Sequence, residues 1–190
     1  KMTIACNGDK WPDTNPTPLE TYVGGKNGAP IPYATPTGYY LKKYLDGSID
    51  ISAGGSTGGK RHSWITFRLG EFLLDYAEAL FQYTGSADEV PDGFRMSARE
   101  AVNLVRARQG VNMPAFPEAM SPSDFWKRYK RERMVELAFE GHRFWDVRRW
   151  KEGGFTSITR MQITKTSDGR YTYTRIEKPL VWNDKMYFFP

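Results

Sequence analysis

Glu132, Glu136 and Glu140 recur at four-residue steps, so on a helix their carboxylates share one face, and His142 follows just after the last of them. Carboxylates so close together, with an imidazole beside them, are the groups that general acid–base chemistry and glycoside hydrolysis require. Glu136 or Glu140 acting with His142 is the arrangement a hydrolase would use. The same stretch is dense in cations, however, and Arg133, Arg143, Arg148 and Arg149 stand ready to neutralise those acids. Arg133 is spaced to reach Glu136 and Arg149 to reach Asp146, while the rings of Phe144, Trp145 and Trp150 can shield the pairs. The residues therefore favour a charge-satisfied junction between helices over catalysis. Loss of one member should cost the fold, not a reaction.

Other chemistry is largely excluded. The two histidines, His62 and His142, lie far apart, Cys6 is the single cysteine, and no ligand pair has metal-binding spacing, so neither a metal nor another cofactor is expected. Gly54-Gly55-Ser56-Thr57-Gly58-Gly59-Lys60-Arg61 approaches a phosphate loop. It places Arg61 where Ser or Thr must hold magnesium, and no apolar strand precedes it, so a mobile loop is the expectation. Sugar recognition needs aromatic faces beside hydroxyl-satisfying polar groups, on loops. Trp11, flanked by Asp9, Asp13 and Asn15 in a proline-punctuated stretch, meets that need, which makes Trp11 and Asp13 the ligand-binding candidates. The competing reading has Trp11 tacking a loop onto the helices. Tyr39, Tyr40 and Tyr44, interleaved with Leu41 and Leu45, read as core anchors.

The elements that must position these residues follow from periodicity. Residues 1–63 are rich in Gly, Pro, Asn and Thr and should be irregular. From Trp64 to about Tyr83, Ile65, Leu69, Phe72, Leu73, Tyr76, Ala77, Leu80 and Phe81 recur at helical steps, predicting a helix with one wide apolar stripe. Ser97-Ala98-Arg99-Glu100 is a capping box opening a helix to about Gln109, closed by Gly110. A third helix starts at Ser121-Pro122-Ser123-Asp124 and runs to about Phe139; Gly141 ends it, and a short fourth runs from His142 to Trp150. Met161 to Thr166 and Arg170 to Ile176 alternate around Asp168-Gly169, a hairpin signal. The fold class is thus mainly α, with tetratricopeptide-like helix pairs, a large irregular region and a small β hairpin. Residues 1–63, 64–151 and 152–190 are expected to be parts of one domain.

Composition narrows the partners. Aromatics make up 15% of the chain against a mean hydropathy of −0.61, so Phe, Tyr and Trp carry much of its apolar surface. Lys and Arg total 27 against 22 acids, but the cations are interspersed with acids, so no nucleic-acid partner is expected. No run of about 18 apolar residues is present to cross a bilayer. Thr3-Ile4-Ala5-Cys6 does not satisfy a lipoprotein cleavage signal, lacking the basic and apolar stretch before it. Two helix pairs alone would be a solenoid without neighbours, so these residues are expected to be a piece of a larger chain.

The run Glu132-Arg133, Glu136-Leu137-Ala138-Phe139-Glu140-Gly141-His142-Arg143 and Asp146-Val147-Arg148-Arg149-Trp150 resembles the C-terminal signature of the SusD/RagB family. Phe67-Arg68-Leu69-Gly70-Glu71, Asp75-Tyr76-Ala77-Glu78-Ala79, Asn103-Leu104-Val105-Arg106-Ala107-Arg108 and Asp184-Lys185-Met186-Tyr187-Phe188-Phe189-Pro190 support it, so that the resemblance is carried from about residue 64 onward. It implies four tetratricopeptide-like helix pairs supporting an irregular ligand-binding region, of which this chain supplies the later helices and lacks the N-terminal half. It implies a non-catalytic, surface-exposed lipoprotein of the outer membrane, anchored through a segment outside this chain, that captures an oligosaccharide or similar nutrient for a SusC-like TonB-dependent transporter. The remainder of the parent chain would be a further partner. A helical protein-interaction scaffold is the alternative.

Overall fold

Arg68 is held in an extended conformation (φ −141°, ψ 155°), and helix α1 starts only after it, running Leu69–Thr84. The computed structural model describes residues 3–13, 16–49, 61, 63, 65–154 and 157–188. The chain divides into two compact units, one of residues 62–145 and the other of residues 1–61 with 146–190. Residues 65–68, expected to be helical, are irregular, and Trp64 falls outside the described residues, as do Gly54 to Lys60 of the glycine-rich loop.

In the first of these units α1 ends on Gly85, whose left-handed φ of 71° lets its N–H reach the Phe81 carbonyl at 2.8 Å. Helix α2, Ala98–Ala107, opens on the expected capping box: Glu100 N–H donates to Ser97 Oγ at 3.2 Å, and Ser97 N–H to Glu100 Oε2 at 2.7 Å. Helix α3, Pro122–Glu136, has Pro122 in its first turn, and Asp124 N–H donates to Ser121 Oγ at 3.1 Å. It stops at Glu136, three residues before Phe139, because the chain turns there with Phe139 at φ 65° and Gly141 at φ 84°. Helix α4 spans His142–Arg149, and the division between the units falls within it.

Helix α1 packs chiefly on α2 and also on α3. The core joins Leu74, Ala77 and Leu80 of α1 to Ala98, Ala101, Val102 and Val105 of α2, all essentially without exposed surface. Aromatic rings close it from α3. Phe81 lies 4.9 Å from Phe125 and stacks on Trp126 at 5.6 Å, and Trp126 stacks in turn on Tyr129 at 5.2 Å. The wide apolar stripe expected of α1 is only partly buried. Leu74, Ala77 and Phe81 enter the core, while Leu69 and Phe72 remain largely exposed.

The other unit is held by short sheets and side-chain clips. Strands β1 (Ile4–Ala5) and β2 (Tyr40–Leu41) pair antiparallel, as do β3 (Ser157–Lys165) and β4 (Tyr171–Pro179), in register Ile163 with Tyr173. The hairpin is longer than its alternation suggested. Asn7 Oδ1 accepts from Thr21 N–H, Asp9 Oδ2 from Cys6 N–H and Asn27 Oδ1 from Glu20 N–H, giving the glycine- and proline-rich segment its backbone partners. Tyr40 serves as an anchor, donating from its hydroxyl to the Asn27 carbonyl at 2.9 Å. Tyr44, Leu41 and Leu45, expected inside, are exposed, since Tyr44 sits in a turn at φ 65° that directs this segment along the surface.

The irregular segment also docks on β3. Val23 N–H donates to the Ile163 carbonyl at 2.8 Å and Met161 N–H to the Thr37 carbonyl at 3.1 Å. Gly38, at φ 81°, permits that approach, because a Cβ there would lie 2.5 Å from the Met161 carbonyl oxygen.

Candidate functional site

The carboxylates of Glu132 and Glu136 on α3, and of Glu140 in the turn after it, face guanidinium groups from well upstream in the chain. Arg68 Nε and Nη2 donate to the two oxygens of Glu140 at 2.8 and 2.7 Å. Its Nη1 donates to Glu136 Oε1 at 2.5 Å and its Nη2 also to the Glu136 carbonyl at 2.7 Å. Arg108 makes a second, short bond to Glu136 Oε1, and Arg106 pairs with Glu132 Oε2 while donating from Nε to the Pro114 carbonyl at 2.8 Å. Each acid of the stripe thus has its own partner outside α3. The side chains of Glu136 and Glu140 are buried. Gly70 makes room for the cluster, since a Cβ there would meet Arg68 Nη1 at 2.8 Å and Glu136 Oε1 at 3.2 Å.

These partners correct the pairing read from the sequence. Arg133, expected to reach Glu136, instead donates to Asp75 Oδ1 at 2.5 Å, because its place on α3 turns it toward α1. Glu140 and His142 do not form the acid–base pair their spacing suggested. The turn at Phe139 and Gly141 delivers Glu140 to Arg68 and leaves His142 Nε2 3.5 Å from Glu71 Oε1. Arg143 is exposed. The bond to Glu140, above all, raises the Arg68 pKa further still, so the guanidinium stays charged.

A second buried polar knot lies deeper. The Tyr129 hydroxyl is 2.9 Å from both the Leu74 carbonyl and Glu78 Oε2, with Arg133 alongside. Burial first, and the Glu78 carboxylate second, push the Tyr129 phenol far above its ordinary value of 10.0. Glu78, beside Leu74 and Phe81 on the buried face of α1, was the sequence signal for this knot: an acid on a buried face requires donors.

In the other unit, Asp146 is buried, and Arg149 Nε and Nη2 donate to its Oδ1 at 2.9 and 2.7 Å, as the spacing predicted. The Arg149 guanidinium lies 4.6 Å from the Trp150 ring centroid, and that of Arg148 lies 5.8 Å from Trp182. Trp182 fits against Gly153, where any Cβ would overlap the indole, and Gly153 N–H donates to the Tyr187 hydroxyl at 2.8 Å.

Trp11 is half-buried. A Cβ at Gly47 would lie 2.5 Å from its Cζ3, and the Lys42 ammonium sits 4.9 Å from a ring centroid. Asp13 is exposed, and its N–H donates to the Gly47 carbonyl at 2.8 Å. Asp9 is engaged with Cys6 N–H, and Asn15 and His62 fall outside the described residues. Among the described residues no cluster of three or more His, Cys, Asp or Glu side chains is arranged to hold a metal ion, and no helix is long and apolar enough to cross a membrane.

Comparison with known proteins gives the arrangement a family. The SusD family model matches residues 1–189, extending the resemblance through the irregular first third of the chain. The crystal structure of a SusD-like protein from Bacteroides fragilis NCTC 9343 is similar at a TM-score of 0.74 and 28% identity, over 97% of this chain and 34% of that one. The chain thus spans about a third of that structure's length. No curated protein matches it. With a family match over nearly all of its residues and a fold to agree, the chain belongs to the SusD family.

Proposed function

We propose that the protein containing this chain captures an oligosaccharide or similar nutrient at the surface of the outer membrane, without chemistry, for delivery to a SusC-like TonB-dependent transporter. Membership of the SusD family is the observation that carries this reading. The state of the carboxylates agrees with it. Glu132, Glu136 and Glu140 are each met by an arginine, and Arg68 holds Glu140 through both of its carboxylate oxygens. In this reading residues 64–151 are scaffold. Trp11 and Asp13, on the loop-rich segment, contribute an aromatic face and a hydroxyl-binding carboxylate to the sugar.

A glycan array probed with the full-length parent protein tests this reading. Binding to a defined oligosaccharide that weakens at least tenfold in Trp11→Ala, the scale of one lost aromatic contact, is the expected result. Absence of binding across neutral, acidic and branched glycans would overturn it. Release of reducing sugar above background would replace it with the hydrolase.

A further inference from the structure

Strand β4 pairs with β3 along one edge only. The hairpin fixes which groups lie on the other. Thr166 N–H donates to the Arg170 carbonyl at 2.8 Å, so these two residues face each other across the ladder. The alternation of an antiparallel pair then turns the N–H and C=O of Tyr171, Tyr173, Arg175 and Glu177 outward. Their opposite numbers on β3 obey the same rule, since Ile163 and Met161, in register with Tyr173 and Arg175, are the residues that reach out to Val23 and Thr37. On β3 the outer edge is therefore covered. On β4, among the described residues, nothing takes up the outward backbone groups, and every residue of the nine-residue strand except Ile176 is exposed. A long strand with a bare edge is a template for another strand.

We infer that this edge pairs with its own counterpart on a second copy of the chain, β4 against β4, antiparallel about a two-fold axis at Ile176. Three observations select that occupant. The first is charge. With Ile176 opposite the partner's Ile176, Arg175 falls opposite the partner's Glu177 and Glu177 opposite the partner's Arg175. Both side chains are exposed, and neither is engaged in an ion pair among the described residues. The neighbouring registers oppose like charges: centring on Arg175 sets it against the partner's Arg175, and centring on Thr174 brings Lys178 against the partner's Arg170. The second is the ladder itself. In the register centred on Ile176 the outward residues meet, so Arg175 and the partner's Glu177 exchange both backbone bonds, and Tyr173 N–H reaches the carbonyl of the partner's Pro179. Proline, which has no N–H to give, thus falls at the end of the ladder, where its carbonyl is what is used. The third is closure. Because Thr37 and Val23 already occupy the outer edge of β3, the two-fold pairing consumes the open edge of each hairpin and stops at four strands. A ladder this short makes a weak dimer that depends on concentration. The inference goes beyond capture and is independent of which ligand is captured.

The test uses the full-length parent. Sedimentation equilibrium over a concentration series reads dimer formation, and Arg175→Glu and Glu177→Arg, both at exposed positions, each set like charges across the pairing. The expected result is a dissociation constant raised at least about tenfold by either change and returned close to that of wild type when the two are combined, because the double variant restores both pairs with their signs exchanged. Mild oxidation reads the register. Directly opposed residues at Ile176 would have Cα atoms about 4.5 Å apart, within disulfide reach. Ile176→Cys should therefore link two copies, and Thr174→Cys, set against the partner's Lys178, should not, with wild type and its free Cys6 taken through the same oxidation as background. A parent that stays monomeric throughout the series, a dimer indifferent to the charge changes or not restored by the double variant, or a link from Thr174→Cys in place of Ile176→Cys overturns the inference. So does a monomer whose β4 amides gain protection from hydrogen exchange only when the transporter is added, which would give the edge to that partner instead. No glycan enters these measurements, so their failure leaves the capture reading standing, and the reverse also holds.

Discussion

Arg68 holds Glu140 through both carboxylate oxygens, at 2.8 and 2.7 Å, across 72 residues of chain. It holds Glu136 at the same time, so one guanidinium ties the entrance of α1 to the exit of α3.

Arg68→Ala should therefore destabilise residues 62–145 by about 3 kcal/mol, the scale for leaving partly buried charged groups unpaired. Arg68→Lys should recover little of it, because an ammonium cannot reproduce the two-pronged contact. Arg143→Ala, at an exposed arginine of the same signature, should change stability by less than about 0.5 kcal/mol. Urea midpoints measured on the three variants check the ordering.

Tyr129 sets the alkaline limit. Up to the ordinary phenol value of 10.0 it is protonated in both folded and unfolded chains and contributes no pH dependence. Above that value only the unfolded chain ionises, so the raised folded pKa costs stability as pH rises, by up to about 1.4 kcal/mol per pH unit. Tyr129→Phe should be less stable at neutral pH yet lose less between pH 10 and 11.5, an interval chosen to bracket the unfolded phenol's roughly 10. Equal slopes in wild type and variant would refute the assignment.

At the acid end, the Glu100 carboxyl is held below its usual 4.5, first by the Ser97 backbone N–H and then by the Ser97 side chain. A lowered folded pKa means that the capping contribution is complete above pH 4.5 and disappears as pH falls through the folded value. Glu100→Gln should flatten that limb of an acid-unfolding curve. Ser97→Ala should cost about 1 kcal/mol at neutral pH.

Gly153 and Gly154 offer a matched pair. A methyl group at Gly153 would overlap the Trp182 indole, whereas one at Gly154 would meet nothing within 4 Å. Gly153→Ala should cost about 1 to 3 kcal/mol, the range for overpacking, and shift tryptophan fluorescence as Trp182 is displaced. Gly154→Ala should leave both unchanged.

The helices were legible because their signals are local: the capping box at Ser97 and Glu100, Pro122 after Ser121, and Gly141 at a left-handed turn. Within the signature, the Asp146–Arg149 contact was also local and was read correctly. What escaped was long-range. Nothing in the spacing of Glu132, Glu136 and Glu140 announces that their partners are Arg106, Arg108 and Arg68, because an ion pair between elements has no sequence period. Which part of the α1 stripe is buried was hidden for a related reason. Leu69 and Phe72 are as apolar as Leu74 and Phe81, and only the packing separates them.

The docking of residues 20–40 on β3 has a consequence of a different kind. The amide of Met161 and the carbonyl of Ile163 lie on the strand edge turned away from β4, and they are taken up by Thr37 and Val23. Left bare, such an edge is a template for another chain. Gly38 is the residue that keeps the cover seated, so damage there would surface as intermolecular strand pairing and loss of material to aggregates, ahead of any fall in melting temperature.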